Sequence, residues 1–185
     1  LVPAIRARRP HPALIAVPVI VAVQALLPGY AKTRAEAHDA YQIGIRLART
    51  GKPAEALEAY RTAARLAPEE GMAWHGIGAA LVKLGRPAES VEAFRTALER
   101  MPNSPVTHYN LGAVYGRLGD DAAALAEFRR AVEIDPYEPS FRSDLGVALA
   151  RTGRTEEAIA EFRRVLERHP EHPGARRGLQ ALGAR

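Results

Sequence analysis

At 185 residues, 47% apolar and 25% charged, the chain has the composition of one folded domain rather than of a disordered tail. Its formal charge of +5 is no nucleic-acid footprint, because five of the 26 basic residues fall in residues 1–34, where there is no acid, and the others balance the 21 acids. The absence of cysteine excludes disulfides, thiolate metal sites and cysteine catalysis.

Read from the N-terminus, Arg6, Arg8 and Arg9 precede an apolar run from Ala13 to Leu27, and Pro28-Gly29-Tyr30-Ala31 closes it. This order makes residues 1–31 an expected export signal, with small residues at Gly29 and Ala31 placed for cleavage after Ala31. As a helix the run would span about 22 Å, short of a hydrocarbon core of roughly 30 Å, and Pro18 interrupts it. The alternative is an uncleaved inner-membrane anchor formed by residues 13–27. Either way the basic end stays inside and the remainder is exported, to the periplasm or the medium. Leu1 is not a usual initiator, so a mistranslated or truncated leader stands as a third reading.

From Ala37 the sequence repeats every 34 residues without insertion, as 37–70, 71–104, 105–138 and 139–172. Gly44, Gly78, Gly112 and Gly146 share one register position, each preceded by Ile43, Ile77, Leu111 or Leu145. A glycine in mid-helix costs about 1 kcal/mol relative to alanine. Four in register predict that another helix passes too close for a Cβ. Gly51, Gly85, Gly119 and Gly153 end the first helix of each pair. Tyr60, Phe94, Phe128 and Phe162 fill the gap between helices, beside Ala56, Ser90, Ala124 and Ala158, and Pro68, Pro102, Pro136 and Pro170 stop the second helix. Pro105 and Pro139 suit the first turn of the next helix. Thr33-Arg34-Ala35-Glu36 reads as a capping box opening the first helix. Residues 173–185 read as a short cap, with Leu179 and Leu182 on one side and with Gly174 and Gly178 expected to make it fray.

Over residues 37–172 this pattern resembles the tetratricopeptide repeat family. Trp74, Ile77-Gly78, Leu81, Phe94, Ala97 and Pro102 of the second block carry the likeness best. Ala40, His108 and Arg142 replace Trp74 in the other blocks, Ser90 stands where alanine is usual, and Val165 replaces a small residue. The resemblance implies an all-α, right-handed superhelical solenoid of antiparallel helix pairs over residues 32–172. It also implies a concave groove, lined by the first helices, that holds a protein or peptide. Carried over block by block, the groove positions are His38, Tyr41, Ile45 and Arg49; Met72, His75, Ala79 and Lys83; Tyr109, Asn110, Ala113 and Arg117; and Ser143, Val147 and Arg151, with Asn110 and Asp144 at the edge. The family's lysine–asparagine clamp for a terminal carboxylate has Tyr41, Ile45, Gly76, Val106 and Asn110 at its places here, so recognition of chaperone C-termini by that mode is not expected.

Arg49, Lys83, Arg117 and Arg151 recur at the repeat period. They read either as a rail for acidic groups of a partner or as cations offsetting helix C-termini. Tyr41, Met72, His75 and Tyr109 form a candidate hot spot toward the N-terminal repeats, with partial burial between helices as the alternative. On the second helices, Arg61, Arg95, Arg129 and Arg163 lie within intrahelical reach of Glu58, Glu92, Glu127 and Glu161.

No residue pattern points to catalysis, a cofactor or a metal. There is no phosphate-cradling glycine loop and no Gly-x-Ser-x-Gly elbow. The pair His169 and His172 has a metal-ligand spacing, but Pro170 and Pro173 interrupt it. The carboxylate pairs Glu69-Glu70 and Glu156-Glu157 fall at helix starts. The expectation is an exported, non-enzymatic adaptor in a bacterial envelope assembly, without nucleic acid and with membrane contact only through an uncleaved N-terminal segment. A self-associating structural protein and an accessory subunit of a larger enzyme complex are the alternatives.

Overall fold

Turn chemistry repeated every 34 residues dictates alternating helices, and the computed structural model, which describes residues 28–184, consists of them. Among the described residues there are nine helices and no strand. Four first helices, α1 (Pro28–Arg49), α3 (Gly71–Lys83), α5 (Pro105–Leu118) and α7 (Pro139–Arg151), alternate with four second helices. The latter are α2 (Pro53–Leu66), α4 (Pro87–Arg100), α6 (Asp121–Ile134) and α8 (Thr155–Arg168), and α9 (Pro173–Ala181) follows. The readings of residues 1–27 as export signal or anchor lie outside the described residues. No described helix is long and apolar enough to cross a membrane.

Helix starts follow local chemistry. Proline occupies the first turn of α2, α4, α5, α7 and α9, where its missing N–H costs nothing. Ser104 and Asp120 accept from the backbone N–H of Thr107 and Ala123, an arrangement worth about 1 kcal/mol each. Gly119 and its three counterparts leave the first helices at positive φ, between +73° and +83°, the left-handed conformation that closes a helix without a Cβ penalty.

One sequence expectation needs correction, and the glycines acquire a specific contact. The capping box does not open α1. The helix begins at Pro28, so Thr33 lies inside it and its hydroxyl donates to the Gly29 carbonyl at 2.9 Å. The mid-helix glycines are crowded by the second helix of the pair, as expected, and the contact is made chiefly by its aromatic ring. A Cβ would stand 2.5 Å from the Tyr60 ring at Gly44, 2.7 Å from Phe94 at Gly78, 3.0 Å from Phe128 at Gly112 and 2.6 Å from Phe162 at Gly146. In α9 the glycines are close-approach positions too: a Cβ at Gly178 would enter the Phe162 ring, and one at Gly174 would stand 2.7 Å from Ser143 Oγ. Phe162 is thus enclosed by Gly146 and Gly178, as Tyr60 is by Gly44 and Gly76.

Each helix packs on its chain neighbours, and first helices also approach the next first helix, α1 to α3 and α3 to α5. Second helices are joined only loosely, as by Arg129 and Glu157 at 4.0 Å. The first helices therefore line the inner, concave side. The core divides between Ala93 and Phe94. Alanine supplies six of the ten buried residues in the N-terminal cluster, whereas the C-terminal one holds Phe94, Leu111, Tyr115, Phe128, Leu149 and Phe162.

A column that varies in the sequence performs one task. Trp74 Nε1, His108 Nε2, an Arg142 guanidinium nitrogen and Arg176 Nε donate to the carbonyls of Pro68, Pro102, Pro136 and Pro170, at 3.1, 3.0, 3.2 and 2.8 Å. Each satisfies a carbonyl that the preceding helix end leaves without an N–H. The expected intrahelical pairs form only in part. Arg61 meets Glu58 at 2.7 Å, but Arg95 holds the Tyr115 hydroxyl, Glu127 meets His108 at 2.7 Å, and Glu161 meets Arg142 at 2.5 Å.

Candidate partner-binding groove

Helical spacing sets which first-helix side chains reach the inner face, and the expected groove residues divide there into struts and open surface. Tyr41, His75 and Tyr109 are half-buried. Each lies against the aromatic ring of its own repeat, with centroids 5.7 Å from Tyr60, 5.5 Å from Phe94 and 5.7 Å from Phe128. The Tyr109 hydroxyl crosses to the next repeat and donates to Asp144 at 2.8 Å, and Phe141 covers its ring at 4.9 Å. Burial, followed by the hydrogen bond and the charge of Asp144, pushes the Tyr109 phenol well above its ordinary range.

His75 bridges in the same way. Its Nδ1 lies 2.9 Å from the buried Thr107 hydroxyl and its Nε2 lies 3.5 Å from the Asn110 amide nitrogen. With that amide as donor, the ring is neutral and carries its proton on Nδ1. Burial lowers the His75 pKa, which favours the same neutral form. Ser143, the fourth member of this column, is buried under α9 and presents nothing to the groove.

The remaining positions are open. Met72 and Val147 are 47% and 43% exposed, unusual for large apolar side chains. His38 is exposed, and Ile45, Ala79, Asn110 and Ala113 are half-buried. Toward the N-terminal end, Ala37, His38, Tyr41, Ala63, Met72 and Ala73 line a recess of about 350 Å³. The ion pair of Arg34 with Glu70 at 2.6 Å stands at its rim.

The basic column is not uniform. Arg49, Lys83 and Arg117 are exposed and have no hydrogen-bond or ion-pair partner among the described residues. Arg151 meets Asp121 at 2.6 Å and donates to the Gly116 carbonyl at 3.2 Å. Pro87 and Pro53 stand where Arg117 and Lys83 would meet the counterpart of Asp121, so neither finds the acid that Arg151 does. Of the two spaced histidines, His172 is engaged locally, since its Nδ1 accepts the Ala175 N–H at 3.2 Å as a helix cap.

Comparison with known proteins agrees with this architecture. Two models of the tetratricopeptide repeat family match, one over residues 41–105 and 80–139 and the other over 117–182. No curated protein matches this chain. Among solved structures, YrrB, described as a TPR protein with an unusual peptide-binding site, is 26% identical with a TM-score of 0.71, over 77% of this chain and 74% of that one. MamA is 21% identical with a TM-score of 0.69, over 73% and 79%. MamA 41-end from Desulfovibrio magneticus RS-1 is 24% identical with a TM-score of 0.67, over 74% and 77%. From its repeating glycines, its ring-filled helix pairs and these matches, the chain belongs to the tetratricopeptide repeat family.

Proposed function

We infer that this chain is a non-catalytic adaptor that holds a protein or peptide segment along its concave face. One observation carries the reading: exposed Met72 and Val147 share the inner face with Arg49, Lys83 and Arg117, three cations that no described residue neutralises. Apolar anchors beside unpaired cations suit a segment with apolar side chains and acidic groups. The likeness to a peptide-binding relative supports the same class of ligand. The basic and apolar order of residues 6–27 supports work in the bacterial envelope, as a periplasmic or secreted component, with an inner-membrane anchor as the variant of that reading.

The test is affinity capture from envelope extract by residues 32–185, compared with a Met72→Glu, Lys83→Glu, Arg117→Glu variant. These side chains are exposed, so helical circular dichroism should stay unchanged while a specific partner is lost. Equal capture by both proteins would remove the concave face from the account. A second reading, self-association, draws on Ile43. It is 41% exposed where Ile77, Leu111 and Leu145 are buried. Mass that rises with concentration in light scattering would favour it, and a constant monomer mass would end it.

A further inference from the structure

The loosely joined second helices leave three equivalent grooves on the outer face, and the structure fills two of them. Between α4 and α6, Tyr115 occupies the floor with its hydroxyl held by Arg95 at 2.7 Å, and His108 meets Glu127. Between α6 and α8, Arg142 meets Glu161, and Arg129 reaches across to Glu157. Between α2 and α4 none of these bridges exists. Leu81 stands in the place of Tyr115 and Ala93 in the place of Glu127 and Glu161. Arg61 turns to Glu58 and Glu89 to Arg86, so these two act on each other across the groove only through space, without the contact that Arg129 makes with Glu157. What remains is a trough of about 680 Å³ with half-buried Trp74 above a floor of Ile77, Leu81 and Ala93. One rim is basic, with Arg61 and Arg65 on α2, and the facing rim is acidic, with Glu89 and Glu92 on α4.

We propose that this outer trough is a second protein-binding site, distinct from the concave face, for an amphipathic helix with acids on one flank and bases on the other. The site does not rest on the concave reading, since it uses the opposite face. Rim charges spaced four apart on α2 and three apart on α4 match the flanks of a helix lying along the trough. Its apolar stripe would cover Trp74 and the floor, as Tyr115 covers the next groove. Two rims of opposite sign select a partner of mixed charge, because a helix of either single sign meets one like-charged wall.

Trp74 is the single tryptophan of the chain and reports occupancy directly. The probe is a synthetic helix as long as α4, 14 residues, with a leucine stripe, glutamates along one flank and lysines along the other. Saturable change in tryptophan emission is expected, with affinity at least about tenfold above that of all-glutamate or all-lysine versions, a difference of 1.4 kcal/mol or more. The double change Arg61→Glu, Arg65→Glu makes both rims acidic and should transfer the preference to the all-lysine helix. Trp74→Arg with Ala93→Glu installs the Arg142–Glu161 arrangement and should abolish binding of a fluorescein-labelled probe while circular dichroism stays helical. No response to any helix, equal affinity for all three, or full binding to the filled variant would each overturn the proposal.

Discussion

The N-terminal and C-terminal halves use one repeat pattern to different ends. In the C-terminal half, large side chains fill the core, Tyr109–Asp144 and Arg151–Asp121 tie repeats together, and Arg142–Glu161 joins the two helices of the last repeat. In the N-terminal half, alanine dominates the core, and both the concave recess and the outer trough lie there. The difference arises at a few register positions, Leu81 against Tyr115 and Ala93 against Glu127. A repeat position can seal the solenoid or leave a surface free, and here the division falls between its halves.

The largest way to break this contrast is Phe162→Ala. The ring is fully buried between two glycines and joins α7, α8 and α9, so removal should cost about 3–5 kcal/mol in a urea melt and release α9. Tyr60→Ala, whose ring lies in the alanine-built half, should fall at the lower end of that range. Next come the glycines. Gly178→Ala drives a methyl into the Phe162 ring and should destabilise by about 1–3 kcal/mol. At Gly116, the nearest side-chain atom would be an ordinary 3.6 Å away, so Gly116→Ala should stabilise by about 0.5–1 kcal/mol. Equal effects at the two sites would contradict the ring-enclosure account.

A smaller effect is carried by pH. The folded His75 pKa is lowered from its ordinary 6.5, so below that value the unfolded chain takes up the proton more readily than the folded one. The contribution of His75 to stability should be complete above pH 6.5 and fall away as pH drops through the folded value. Thermal melts of His75→Gln should lack that component, and an unchanged pH profile would contradict it. The smallest effects concern the basic column. Arg151→Ala should cost up to about 1 kcal/mol, because its pair is partly exposed, whereas Arg117→Ala should leave the melt unchanged and weaken only partner binding.

Much of the fold was legible because backbone requirements allow few residues: glycine at the helix exits, proline at the entries, a ring at each helix pair. The site was less so. Tyr41, His75 and Tyr109 look like surface anchors in a sequence, and only the positions of Thr107, Asp144 and the rings beneath show them acting as struts. Trp74, His108 and the two arginines Arg142 and Arg176 differ in size, charge and shape, and what they do share, an N–H that reaches a carbonyl six residues back, was a signal the register could have offered. The start of α1 was misread because Thr33 to Glu36 satisfies a capping pattern locally, while the helix already runs from Pro28.

Hydrogen–deuterium exchange on the captured complex tests the central claim most directly. Added protection in α1, α3 and α5, centred on the amides around Tyr41, Met72 and Arg117, is the predicted result. Protection confined to α2, α4 and α6, with the first helices exchanging as in the free protein, would contradict the concave face as the working surface.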